Sequence, residues 1–77
     1  MPPRPRTFEG TQHRRDLGDR VRVLREAKGW SQEDLAEQSG LHRTYIVRVE
    51  RGQVNVSVDA LKQIADAFGQ GMAALFI

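Results

Sequence analysis

The sequence predicts an all-α fold, a compact bundle of five short helices in one small domain. Apolar residues recur three and four positions apart in several stretches, which is the spacing of one helix face. Glycines at positions 29, 40, 52 and 69 follow four of these stretches, and glycine readily adopts the left-handed conformation that ends a helix. The length of 77 residues leaves room for one core of limited size.

The first predicted helix begins between Arg14 and Asp16 and ends near Lys28, with an inward stripe of apolar residues. That stripe is Leu17, Val21 and Leu24. Trp30 follows Gly29 and is expected to cap the core. The second helix begins at Ser31, which forms a capping arrangement with Asp34 three residues later.

The third predicted helix runs roughly from His42 to Arg51 and has two chemically different sides. Its inner side holds Leu41, Tyr45, Ile46 and Val49, and its outer side holds His42, Arg43, Thr44, Val47 and Arg48. The fourth helix starts at the N-cap Ser57 and should bury Leu61, Ile64, Ala65 and Phe68. Residues 72–76 can form one more short helix.

Composition excludes several classes of protein. The chain has no cysteine, so it has neither disulfides nor thiolate metal sites, and a reducing cytoplasm fits. No apolar run approaches the roughly 20 residues that span a bilayer, and the charged, proline-rich start predicts no export signal. Formal net charge is +2. Residues 1–15 carry four arginines and one glutamate, whereas residues 16–77 carry 8 basic and 9 acidic side chains.

The stretch from Ser31 to Gly52 has the pattern of two helices that cross steeply at a tight turn. Such a crossing needs a small residue where the helices approach, here Ala36, and a glycine in the turn, here Gly40. The second helix of the pair is held by Ile46 and Val49. Together these residues predict a helix-turn-helix.

Residues 17–76 resemble the phage-repressor/Cro-like helix-turn-helix family, also called the xenobiotic-response-element family. The residues that carry the resemblance are Leu17-Gly18, Val21-Arg22, Leu24-Arg25, Gly29, Ser31-Gln32, Leu35-Ala36, Gly40-Leu41, Tyr45-Ile46, Val49-Glu50-Arg51-Gly52, Ser57, Leu61 and Ile64-Ala65. The run from Leu41 to Ile46 is similar to the short controller proteins of restriction–modification systems, although it occurs in many other regulators of this type. Val47-Arg48 departs from the small residues common there.

The resemblance implies a five-helix bundle of the lambda-repressor-like DNA-binding type, formed by residues 14–77, with the third helix in the major groove. It implies that Gln32 contacts a phosphate or a neighbouring side chain. It also implies that Arg25 and Glu50 pair beneath the recognition helix. The sequence also supports the last expectation by itself, because Glu50 lies near the buried side of the third helix and a partly buried carboxylate needs a partner.

The outer side of the third helix supplies the candidates for contacts with bases. Arg43 is the first choice, because a guanidinium can fork onto guanine O6 and N7. Thr44, Val47, Arg48 and His42 are the other candidates, and Arg51, Gln53 and Asn55 are expected to line the phosphates together with Gln32. The alternative for each is an ordinary surface residue, and for Arg43 it is a phosphate contact or none.

Both ends of the chain leave alternatives open. Residues 1–13 are predicted to form a disordered basic arm that follows phosphates or enters a minor groove, or else a solvated tail. The apolar C-terminal residues Met72, Leu75, Phe76 and Ile77 predict a homodimer contact, or else Leu75 and Phe76 close the core. A dimer would read an inverted repeat with half-sites about 34 Å apart.

Three functions compete at this point. A sequence-specific DNA-binding transcriptional regulator is favoured by the arginines on the third helix. A protein-interaction module, such as an antitoxin-like partner on the same fold, is the alternative, supported by the apolar C-terminus and the acidic second helix. An enzyme is not expected, because no catalytic dyad, metal cluster or phosphate-binding glycine loop is present. No cofactor or metal is predicted, and double-stranded DNA is the expected partner.

Overall fold

The computed structural model describes residues 9–76, with side chains from residue 11 onward, and every regular element in it is a helix. The elements are α1 (Glu9–Ala27), α2 (Gln32–Ser39), α3 (Arg43–Glu50), α4 (Val58–Ala67) and a C-terminal 3-10 helix (Met72–Phe76). The predicted all-α class is confirmed. The predicted count of five is met only if the short 3-10 helix is included, because just four elements within residues 9–76 are α-helices.

The start of α1 differs from the prediction. The helix begins at Glu9, so residues 9–13, predicted to belong to the disordered arm, are helical, and the rest of the arm, residues 1–8, lies outside the described residues. Residues 9–16 contain no large apolar side chain, so apolar spacing gave no helix signal there. One stabilising contact is polar, since Gln12 Nε2 donates to Asp16 Oδ1 over 3.0 Å, one turn away.

The predicted caps are present. Ser31 Oγ accepts from the Asp34 backbone N–H at 3.0 Å, and the Asp34 carboxylate accepts from the Ser31 N–H at 2.8 Å, which completes the capping box of α2. Ser57 Oγ accepts from the Ala60 N–H at 3.0 Å and begins α4. All four glycines predicted to end helices have positive φ: Gly29, Gly40, Gly52 and Gly69.

The core draws on every element of the fold. Its fully buried large side chains are Val21 of α1, Leu35 of α2, Ile46 and Val49 of α3, Ile64 of α4 and Leu75 of the 3-10 helix. Trp30 stacks on Phe68, with ring centroids 5.9 Å apart. In α4, Leu61 packs against the core as predicted but is only partly buried, and Ala60, which was not predicted to be inside, is buried.

Helix α1 crosses the carboxyl end of α3 in direct backbone contact. A Cβ added at Gly18 would lie 2.4 Å from the Val49 carbonyl oxygen and 2.7 Å from that of Glu50. Only glycine permits this approach, so Gly18 fixes the distance between α1 and the C-terminus of α3. None of the described helices combines the length and apolar composition that a membrane-spanning helix needs.

Candidate nucleic-acid interface

The turn between α2 and α3 is held by backbone and side-chain hydrogen bonds. Gly40 has φ 74° and its N–H donates to the Ala36 carbonyl at 2.9 Å. The Leu41 N–H donates to the same carbonyl at 3.2 Å. Gln63 Nε2 of α4 donates to the Ser39 carbonyl at 3.2 Å, so α4 supports the turn from behind. These bonds set the angle at which α3 leaves α2.

Helix α3 is anchored by one face that packs into the core. Ile46 and Val49 are 0% and 1% exposed, as predicted, and Tyr45 packs partly buried against the same core. Their burial compensates for the low helix propensity of the β-branched residues in this short helix. The opposite face of α3 is therefore fixed in its orientation toward solvent.

Arg25 and Glu50 lie together beneath α3 in a nearly buried ion pair. Arg25 Nε donates to Glu50 Oε2 at 2.7 Å and Arg25 NH2 donates to Glu50 Oε1 at 3.0 Å. The two side chains are only 11% and 4% exposed. The hydrogen bond to Glu50 raises the pKa of the Arg25 guanidinium above its ordinary value, against the opposing effect of burial.

This ion pair extends to two further segments. Arg25 NH1 donates to the Trp30 carbonyl at 2.7 Å, just ahead of α2. Gln32 Nε2, at the start of α2, donates to Glu50 Oε1 at 3.2 Å. Gln32 therefore contacts a neighbouring side chain, one of the two roles that the resemblance implied. One guanidinium and one carboxylate thus join α1, α2 and α3.

The outer face of α3 carries four exposed polar side chains: His42, Arg43, Thr44 and Arg48. Val47, expected to be exposed on this face, is partly buried. His42 is the N-cap of α3, and its Nδ1 accepts from the Thr44 N–H at 3.1 Å. This cap occupies Nδ1 and leaves Nε2 as the ring nitrogen available to a ligand.

Arg43 has a partner that the sequence did not suggest. Its Nε lies 3.4 Å from Glu33 Oε1, and both side chains are largely exposed, at 58% and 74%. An exposed ion pair of this kind contributes about 0–1 kcal/mol. Since α2 and α3 meet through a turn whose angle the sequence does not specify, no spacing rule could have found this pair.

The remaining candidates for phosphate contacts lie after α3. Arg51, Gln53 and Asn55 are all exposed. Gly52, with φ 69°, turns the chain there, and the Gln53 N–H donates to the Arg48 carbonyl at 2.9 Å. The segment is thus tied closely to the end of α3.

The C-terminal candidates for a dimer contact differ in how far they are exposed. Leu75 is 1% exposed, so its assignment as a dimer contact is corrected: it closes the core against α1 and α4. Phe76 is 64% exposed and Met72 37%, and Ile77 lies outside the described residues. Sequence analysis missed Val23 of α1, which is 53% exposed and lines an open groove together with Phe76.

Comparisons with known proteins agree with this geometry. A helix-turn-helix family model matches residues 21–75. The control protein C.BamHI of Bacillus amyloliquefaciens is 49% identical over 54 residues, which are 69% of this chain and 67% of that protein. A hypothetical transcription factor of Neisseria meningitidis serogroup B is 45% identical over 53 residues, 69% of this chain but only 50% of that protein.

A solved structure also matches this chain in fold and in sequence. The restriction–modification controller protein C.AhdI of Aeromonas hydrophila superposes with a TM-score of 0.81 and 47% sequence identity, over 83% of this chain and 97% of that one. Among the described residues of the present chain, no group of three or more metal-ligating side chains comes together. The chain belongs to the helix-turn-helix family of DNA-binding transcriptional regulators.

Proposed function

We propose that this regulator binds an inverted-repeat operator as a homodimer and inserts α3 into the major groove of each half-site. The observation that carries the proposal is the division of α3 into a fully buried face and an exposed face of cationic and hydrogen-bonding side chains. A helix such as α3 is about 10–12 Å across with its side chains, and the major groove is about 12 Å wide, so it admits the helix.

Arg43 is the principal base-contacting residue in this proposal. It is the first residue of α3, the end of a recognition helix that contacts base edges. Its weak pair with Glu33 must open on binding, and guanine O6 and N7 replace the carboxylate as acceptors. Thr44 and Arg48 share its exposed face, His42 offers Nε2, and the partly buried Val47 offers a methyl group to thymine.

Phosphate contacts from both ends of the α2–α3 pair hold the protein in position along the DNA. Arg51, Gln53 and Asn55 face a phosphate strand from the segment after α3. Gln32 adds a contact from the start of α2, because its amide has two N–H donors and Glu50 occupies only one of them. These contacts attract any DNA sequence and make binding steeply dependent on salt.

The homodimer is supported by exposed apolar side chains near the C-terminus. Phe76 and Val23 line one groove that a monomer would leave open to water. Met72, four residues before Phe76, is also exposed, and Ile77 follows directly in the sequence. A two-fold axis beside this surface would place two copies of α3 about one helical turn of DNA apart. Binding of this kind places the protein in the cytoplasm, with the DNA.

Selection of bound duplexes from a random pool tests the proposal. We expect an enriched palindrome whose half-sites are about 10 base pairs apart. Enrichment of single half-sites would refute dimeric recognition. No enrichment at all, together with a protein that co-purifies in fixed ratio, would instead establish the antitoxin-like interaction module.

The substitution Arg43→Ala tests the base contact itself. We expect it to cost about 1–3 kcal/mol on the selected operator and to relax base preference at one position in each half-site. Lys62→Ala is the matched control, because Lys62 of α4 is equally exposed and also paired with a surface carboxylate. An unchanged preference in a panel of operator variants would contradict the base-contact role of Arg43.

A further inference from the structure

The cationic side chains of the described residues fall into two groups. Six of them have partners: Arg20 donates to the Ala74 carbonyl, Arg22 pairs with Asp19, Arg25 with Glu50, Arg43 with Glu33 and Lys62 with Asp66, and Lys28 lies over the Trp30 ring. The side chains of the other four have no ion pair, hydrogen-bond acceptor or ring contact within residues 9–76: Arg14, Arg15, Arg48 and Arg51. The paired cations are spread over the fold, whereas the unpaired ones are concentrated.

The unpaired arginines lie on two segments that touch at the carboxyl end of α3. Arg48 lies in the last turn of α3 and Arg51 is its C-cap. A Cβ added at Gly52 would lie 2.9 Å from Arg15 Cγ and 3.1 Å from Arg15 Cα. Arg15 of α1 is therefore in contact with the residue that follows Arg51, although 37 positions separate Arg15 from Gly52 in the sequence.

The electrostatics of this cluster favour an anionic ligand. Glu50, the acidic residue at the end of α3, is already occupied by Arg25 and Gln32. Arg14, next to Arg15, has its Nε buried without a hydrogen-bond acceptor among the described residues. The negative end of the α3 dipole offsets part of the repulsion between the arginines. It does not supply an acceptor, and the side chains described within residues 11–76 supply none to Arg15, Arg48 or Arg51.

We propose that Arg15 binds a backbone phosphate of DNA and extends the interface from α3 and residues 51–55 onto the amino-terminal half of α1. The proposal rests on the proposed DNA-binding function and adds a contact from helix α1, which that function did not use. Arg15 is exposed, lies against the segment assigned to the phosphate strand, and has no carboxylate partner within residues 9–76. The contact is independent of sequence, because a phosphate is present at every position of DNA.

Salt titration of DNA binding by Arg15→Gln tests the proposal. Fluorescence anisotropy would give the affinity of the full chain for the selected operator and for a random duplex. Measurements between 0.05 and 0.3 M NaCl, a range of about sixfold, resolve the slope of log affinity against log salt. Loss of one phosphate contact lowers the slope of log affinity against log salt by about 0.9 and the affinity by about eightfold at 0.1 M salt. We expect this loss on both duplexes.

Arg22→Gln is the matched control, since it removes the same charge from the same helix but from an arginine paired with Asp19. Its slope should equal that of the wild type. An Arg15→Gln slope equal to the wild-type slope overturns the proposal and leaves the DNA-binding function intact. A wild-type chain that binds neither duplex overturns the function itself.

Thermal unfolding of both variants separates binding from a structural role of Arg15 at the end of α3. A lower unfolding temperature for Arg15→Gln with an unchanged salt slope would assign Arg15 to fold stability and overturn the proposal. Ethylation interference supplies a second measurement. We expect one phosphate per half-site whose ethylation weakens binding of the wild type and of Arg22→Gln but not of Arg15→Gln.

Discussion

Substitution of Gly18 by alanine tests the contact between α1 and α3 most directly. The new methyl group would lie 2.4 Å from the Val49 carbonyl oxygen, 2.7 Å from the Glu50 oxygen and 2.9 Å from the Glu50 carbonyl carbon. All three atoms belong to the backbone, so no change of rotamer can relieve the overlap. Restoring an ordinary contact of 3.4 Å requires α1 and α3 to separate by roughly 1 Å.

Two opposing terms set the size of the effect. Alanine is better than glycine inside a helix by about 0.8–1.0 kcal/mol, which favours the variant. Overpacking of a well-packed contact costs about 1–3 kcal/mol and occasionally more, and a rigid backbone neighbour puts Gly18→Ala at the upper end. We expect a net loss of about 2 kcal/mol, which lowers the unfolding temperature of a domain this small by on the order of 10 °C.

Thermal unfolding followed by circular dichroism measures this loss. Gly71→Ala is the matched control, because a Cβ at Gly71 meets nothing within 4 Å and its φ is not positive. Operator affinity of Gly18→Ala at a temperature where it is folded should also fall, since α3 is displaced. An unfolding temperature for Gly18→Ala at or above that of the wild type would refute the close approach.

Three further predictions follow from the contacts. Arg25→Ala leaves the Glu50 carboxylate buried without its cation and should cost about 3–5 kcal/mol in a denaturant titration. The hydrogen bond to Glu50 raises the pKa of Arg25 further above the neutral range, so Arg25 stays charged from pH 6 to 10 and this cost should be constant over that range. Ser31→Ala removes the N-cap of α2 and should cost about 1 kcal/mol by the same titration. An unchanged denaturant midpoint would contradict the role of Ser31 as a cap. Phe76→Ala should weaken the proposed dimer at least about 30-fold in sedimentation equilibrium. Val58→Ala truncates an apolar side chain of similar exposure on α4 and should leave the dimer unchanged. Equal effects of the two substitutions would exclude Phe76 from the interface.

Local chemistry predicted much of the fold. The caps at Ser31 and Ser57 and the positive φ of Gly40 and Gly52 follow from properties of single residues and their immediate neighbours. Buried positions such as Ile46 follow from helical spacing. These signals need no knowledge of the tertiary structure, and the structure confirms them.

What the sequence did not predict depends on contacts between distant segments. The first two turns of α1 contain no large apolar residue, and Arg15 in the second of them lies against Gly52, which is far away in the sequence. Leu75 and Phe76 are adjacent and equally apolar, so only the path of the chain decides which one is buried. The pairing of Glu33 with Arg43 likewise depends on the angle between α2 and α3.

The hydrogen bonds of Arg25 and Glu50 have a consequence for the thermodynamics of DNA binding. They join α1, α2 and α3 through contacts of 2.7–3.2 Å, and these contacts oppose any change in the angle between the two helices of the motif. A rigid binding surface loses little conformational entropy when it meets its ligand. Shape adjustment at the interface then falls to the DNA, and operators that bend easily at bases the protein never touches should be preferred over stiffer ones.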